Sequence, residues 1–105
     1  MDTSVNKYDA IESIIYNGRL SIAAINFFIA LDLMVIVLNT KVVLHQPISA
    51  YPSLKGKSIE ELQNFELIGN GTGIHWPSLD EDLSLKGFLT DEMKKLVNPF
   101  DTVAA

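Results

Sequence analysis

Cysteine is missing from this chain, and its absence removes disulfide staples, thiolate metal sites and cysteine nucleophiles together. Basic residues are scarce: 8 Lys and Arg stand against 13 Asp and Glu, for a formal charge of -5. With no basic stripe to neutralise phosphates, nucleic acid is not an expected direct partner. No secretory signal is expected either. The opening MDTSVNKYDAIES is acidic and polar where a signal would carry a basic segment followed by an apolar core. Together with the lack of cysteine, this points to a cytoplasmic protein. The 105 residues suffice for one domain, and a domain near that length buries roughly 65% of its unfolded surface, enough for an ordinary core without metals or disulfides.

What the chain has in abundance is apolar sequence, concentrated in SIAAINFFIALDLMVIVLNT, residues 21–40. Between Ile22 and Leu38 the polar residues are Asn26 and Asp32, so hydropathy alone admits a membrane helix. One aspartate near the centre of such a helix costs roughly 2.5 to 3.5 kcal/mol, and Asp32 would be that aspartate. Val35, Ile36, Val37, Val42 and Val43 are β-branched, and ALD and NTK interrupt the run where turns belong. The pattern predicts three short antiparallel strands, about 24–30, 33–39 and 42–46, and no membrane span. These strands are apolar on both faces, whereas a sheet with one wet face alternates. Something must cover the second face, either the chain's own helices or a second copy, so a homo-oligomer is expected, a dimer foremost. An outward position such as Ile36 or Val37 is where a charge would test this.

Ahead of the strands, Tyr8, Ile11, Ile14 and Ile15 share one helical face and Gly18 suits a left-handed cap, which favours a helix over the sheet. The rival is a hairpin turning at Asn17-Gly18. Beyond the strands, Pro47 and Pro52 mark irregular chain. Ser58 with Glu61 forms a capping box for a short helix ending near Asn64. FELIGNGTGIHW then reads as a hairpin, Glu66 to Ile68 opposite Ile74 to Trp76. Its GNGTG turn lacks the lysine of a phosphate-binding loop, so a plain turn is the simpler reading. A final short helix is expected from about Asp91 to Val97.

Residues 48–89, ISAYPSLKGKSIEELQNFELIGNGTGIHWPSLDEDLSLKGFL, resemble the bacterial domain of unknown function 2442 family. The YP.L step, the helix entry, IG.G.GIHWP and DEDLS carry the likeness, which extends back to about residue 24. The resemblance implies a small α+β domain of no established activity, sometimes found in toxin-antitoxin-like or regulatory settings. Two departures stand out. Thr40, Lys41 and Val42 occupy a turn where the family commonly has aspartate, glycine and arginine, and Ser53 stands where it commonly has arginine after tyrosine-proline. The expected architecture is α+β: an antiparallel sheet of four to five short strands, a meander plus a second hairpin, packed with two or three short helices. Residues 1–23 form a helical extension, 24–89 the core, and 90–105 a short helix and tail.

The candidate site is HWPSLDEDLS. His75 with Asp80, Glu81 and Asp82 offers imidazole and oxygen ligands for a divalent ion or for acid-base chemistry. A simpler reading makes Asp80 or Asp82 the cap of the following LSLKGFL turn, aims His75 to the face opposite Ile74 and Trp76, and makes Trp76 a core anchor. His45 reads as a solvent-facing or hydrogen-bonded strand residue. No catalytic, cofactor-binding or metal-ligating residue is assigned, and no cofactor. Tyr51, Pro52, His75, Trp76, Pro77, Asp80, Glu81 and Asp82 are candidate interaction residues. The expected role is a non-enzymatic, antitoxin-like or regulatory interaction module that binds itself and a basic partner protein. The alternatives are a small metal-binding or hydrolytic protein using His75 and the acids, and a transcriptional regulator that borrows a DNA-binding partner.

Overall fold

Asp9 starts the first helix because its carboxylate accepts the Glu12 amide at 2.8 Å while the Glu12 carboxylate accepts the Asp9 amide at 3.2 Å. This reciprocal box satisfies two backbone donors that would otherwise be left at a helix start. The computed structural model describes residues 9–97, and in it this helix, α1, spans Ala10–Gly18. The helix therefore replaces the rival hairpin. Ile15 is buried, Ile11 is half-buried and Ile14 turns outward at 56% exposure, so the apolar stripe is narrower than its spacing predicts. Tyr8 lies outside the described residues. The left-handed cap falls at Arg19, with φ 52°, rather than at Gly18. A side chain in that conformation costs roughly 1–2 kcal/mol, and Asn39 holds it there: its amide donates to the Arg19 carbonyl at 2.9 Å and its oxygen accepts the Ser21 amide at 3.1 Å.

Two antiparallel three-stranded sheets follow. The first joins β1, Ile22–Phe28, β2, Leu33–Leu38, and β3, Val43–Pro47, in that order. The apolar run is thus strand, 3-10 turn and strand, and among the described residues no helix is long and apolar enough to cross a membrane. Asp32, the residue costliest in a membrane, sits in the turn at φ 51° and accepts the Ser49 amide at 2.9 Å. Lys41 takes φ 73° in the β2–β3 turn, where the family resemblance places glycine.

The second sheet joins β4, Glu66–Ile68, β5, Gly73–Trp76, and β6, Glu81–Ser84. Between the sheets lies α2, Ile59–Gln63, started by the expected Ser58–Glu61 box. The last helix, α3, spans Leu85–Val97, so it begins well before Asp91. Its first turn is capped by Ser84, whose hydroxyl accepts the Gly87 amide at 3.0 Å. Neither Asp80 nor Asp82 serves as that cap. Asp80 is held at φ 50° in the β5–β6 turn, and Asp82 belongs to β6, too early in the chain to reach the first free amides of the helix.

One core serves both sheets. Met34 and Ile36 from the first, Ile74 and Trp76 from the second, Leu54, Leu62, and Leu85 and Phe88 from α3 are all at or below 1% exposure. The Trp76 indole donates to the Leu62 carbonyl at 2.8 Å. That carbonyl lies in the last turn of α2, where no following helical amide can reach it. Replacing Trp76 by Phe keeps a ring but strands this carbonyl and opens a small void. The expected loss is about 2–3 kcal/mol of unfolding free energy, read by urea denaturation. A loss under about 0.5 kcal/mol would show that the bond adds nothing.

Candidate functional site

Cross-strand register decides what the acidic segment can do. Glu66, His75 and Asp82 are direct partners across β4, β5 and β6, so they form one row on the sheet face opposite Ile74 and Trp76. His75 Nδ1 meets Asp82 Oδ1 at 2.5 Å, with the histidine partly covered and the aspartate 67% exposed. Glu66 is the member of this row that spacing alone does not reveal; the pairing of β4 with β5 does. Glu81, one residue from Asp82, turns to the other face, where the Ser53 hydroxyl donates to it. Its second oxygen accepts the Asp82 amide at 2.9 Å. Ser53 thus engages Glu81 with an uncharged hydroxyl from the position where the family resemblance places arginine.

The candidate residues therefore divide. His75 and Asp82 come together, Asp80 stays apart in its turn, Glu81 faces Ser53, and Trp76 is in the core. Pro52 and Pro77 are exposed at the chain reversals beside them. Among the described residues no three His, Asp or Glu side chains gather as they would around a metal ion. Tyr51 is half-buried and stands edge-on against Phe88, centroids 6.1 Å apart at 88°. Its hydroxyl reaches toward Asp91 at 3.5 Å, and the two flank a shallow depression that Asp82 also borders. Burial, then the charges of Asp91 and Glu92, push the Tyr51 phenol well above its ordinary range.

Residues 28–93 match the model of the family described as protein of unknown function (DUF2442). The chain belongs to this family. The DUF2442 segment begins at the last residue of β1 and takes in β2, β3, the whole second sheet and most of α3. Two solved structures share its fold. A protein of unknown function from Rhodospirillum rubrum, solved by crystallography, is 28% identical, with 69% of this chain and 87% of that one covered and a TM-score of 0.60. An uncharacterized protein from Chromobacterium violaceum, solved by solution NMR, is 22% identical over 86% and 85% of the chains, with a TM-score of 0.61. No curated protein matches the chain.

A raised phenol stabilises the folded state fully below the unfolded value, near 10, and that stability is lost as pH rises past it. Spectrophotometric titration of the wild type against Tyr51→Phe should show the Tyr51 tyrosinate forming above the ordinary tyrosine range. Asp91→Asn should bring the transition down toward the ordinary range; no movement would mean that Asp91 does not act on the phenol.

Proposed function

We propose that this protein is a non-enzymatic interaction module that pairs with a second copy through the open face of its first sheet and offers its acidic corner to a basic partner protein. One observation carries the reading. Register places Ala24, Val37 and Val43 in one row, Asn26, Val35 and His45 in the next, and Phe28, Leu33 and Pro47 in the third, all on the face turned from the core. No Asp, Glu, Lys or Arg stands among them, in a chain of which 20% is charged. Phe28 and Val43 remain 47% and 48% exposed, and Ile29, Leu31 and Val42 extend the apolar surface at its ends. Open apolar faces of this kind mark association surfaces on soluble proteins. A two-fold pairing would bury the same patch on both copies without burying any acid.

The acidic corner supports the second half of the reading. Asp80 and Asp82 are exposed, and their charge would steer a basic partner toward the segment. Binding is favoured over catalysis because the acids are separately engaged, Glu81 by Ser53 and Asp82 by His75, with no nucleophile, base and orienter in mutual reach among the described residues. An antitoxin-like or regulatory role is the setting that fits such a module.

Light scattering coupled to size exclusion tests the pairing. The wild-type chain should run as a dimer, and Val37→Asp, outward in β2, should be a folded monomer. Ile36→Asp should not fold, because it puts an unpaired carboxylate into the core at a cost of several kcal/mol. A wild-type monomer would end the pairing proposal. For the acidic corner, an oligolysine peptide serves as probe. Neutralising Asp80, Glu81 and Asp82 together to Asn, Gln and Asn should weaken peptide binding about tenfold or more while moving the melting temperature little. Equal loss of both would reduce the segment to a structural role.

A further inference from the structure

A groove of about 460 Å³ runs between the C-terminal end of α1 and the glycine-rich turn of the second sheet. Its size falls within the roughly 300–1,000 Å³ typical of small-molecule sites. It lies apart from both the open sheet face and the acidic corner.

The walls are fixed by covalent and hydrogen-bonded geometry. On one side, residues 19–21 are tied to Asn39 through its side chain and through its amide, which donates to the Ser21 carbonyl at 2.9 Å. On the other, the turn holds Gly69, Asn70 and Gly71 all at positive φ. A Cβ on Gly71 would stand 2.9 Å from the Ser21 Cβ, so this turn is pressed directly onto the start of β1. The groove is therefore in place before any ligand arrives, which limits the ordering that binding would demand.

Its chemistry is uneven in a useful way. Ile15 and Leu20 give an apolar floor, and the Tyr16 ring stands beside them at 59% exposure. Ser21, Asn70 and Thr72 supply hydroxyl and amide groups at the edge. Arg19 brings a permanent positive charge. Lys86 and Lys95 hold carboxylates at 2.8 and 2.7 Å, but the Arg19 guanidinium has no carboxylate partner among the described residues. Its planar fork of donors matches a carboxylate or phosphate better than any other side chain does. In a chain of net charge -5, a lone guanidinium over an apolar floor selects an anion with an apolar body rather than a bare inorganic ion.

We infer that this groove binds a small organic anion, whose carboxylate or phosphate is gripped by Arg19 and whose ring or short apolar body lies against Ile15, Leu20 and Tyr16. The test is a titration of the full chain, isotope-labelled for NMR, with benzoate, phenyl phosphate and neutral benzamide. At least one anion should give saturable shifts at the amides of residues 19–21 and 69–72, and benzamide should give none. The anion that binds assigns the group, carboxylate or phosphate. Arg19→Asn suits the left-handed backbone and should weaken binding about tenfold or more with the rest of the spectrum unchanged, while Arg19→Lys, which keeps charge without the fork, should fall between. The inference is overturned if neither anion shifts these amides saturably, if benzamide binds equally well, or if Arg19→Asn binds like the wild type.

Discussion

The indole of Trp76 is what makes two small sheets into one body. Three-stranded sheets of three to seven residues per strand bury little by themselves, and each needs a cover on its apolar face. Trp76 is fully buried where those faces meet. Its ring stands 6.5 Å from Phe27 of β1 and 6.0 Å from Phe65, which precedes β4, and Phe27 and Phe65 are themselves 6.2 Å apart. Each tilted aromatic pair adds about 0.5–1.5 kcal/mol beyond the area it buries. The indole N–H then reaches α2 through the Leu62 carbonyl. One side chain thus ties β1, α2, the approach to β4, and β5, elements that have no local reason to meet.

How far this was legible depends on the range of the interaction. The Ser58–Glu61 box was readable because both partners lie three residues apart and carry the whole signal between them. The hairpin around GNGTG was readable for the same reason, its turn residues being local. Strand β6 was not. EDLS is acid-rich and short, and it becomes a strand through pairing with β5, where Ile74 meets Leu83 and His75 meets Asp82. Without that pairing, the acids look like a helix cap, and the true cap, Ser84, goes unnoticed beside them. Arg19 is a similar case: Gly18 has the better intrinsic claim to a left-handed conformation, but Asn39, distant in sequence, holds the next residue instead.

The first sheet separates what composition can say from what register must decide. An apolar run with few polar residues announces strands that are apolar on both faces. It does not say which residues look inward, because a slip of one position exchanges the two faces. Ile36 at 0% exposure and Val37 on the outward row differ by a single step, and a bulge between Ile22 and Ala24 shifts the partner strand within its own length. α3 meets β3 at two points: Lys95 donates to the edge carbonyl of His45 at 2.6 Å, and on the core face the Gln46 side-chain amide donates to Glu92 at 2.8 Å. The helix thereby satisfies an exposed strand edge, a site where other chains readily pair, while the outward rows stay uncovered. α3 thus covers part of the β3 edge and leaves the outward sheet face open.

The glycine-rich turn shows why a motif can be read correctly and still be misjudged. GNGTG turns β4 into β5, as its composition predicts, but hairpins reverse with fewer glycines than this. Gly71 is required by a neighbour outside the hairpin: its bare Cα leaves room for Ser21 and the Ile22 backbone at the start of the other sheet. From the same turn, the Thr72 carbonyl accepts the Leu85 amide at 2.8 Å and anchors the first residue of α3. The turn therefore fixes three things together, the reversal of β4, the contact between sheets and the origin of the last helix. Its backbone cannot relax away from α1 without loosening all three, and for that reason the groove beside Arg19 keeps its shape.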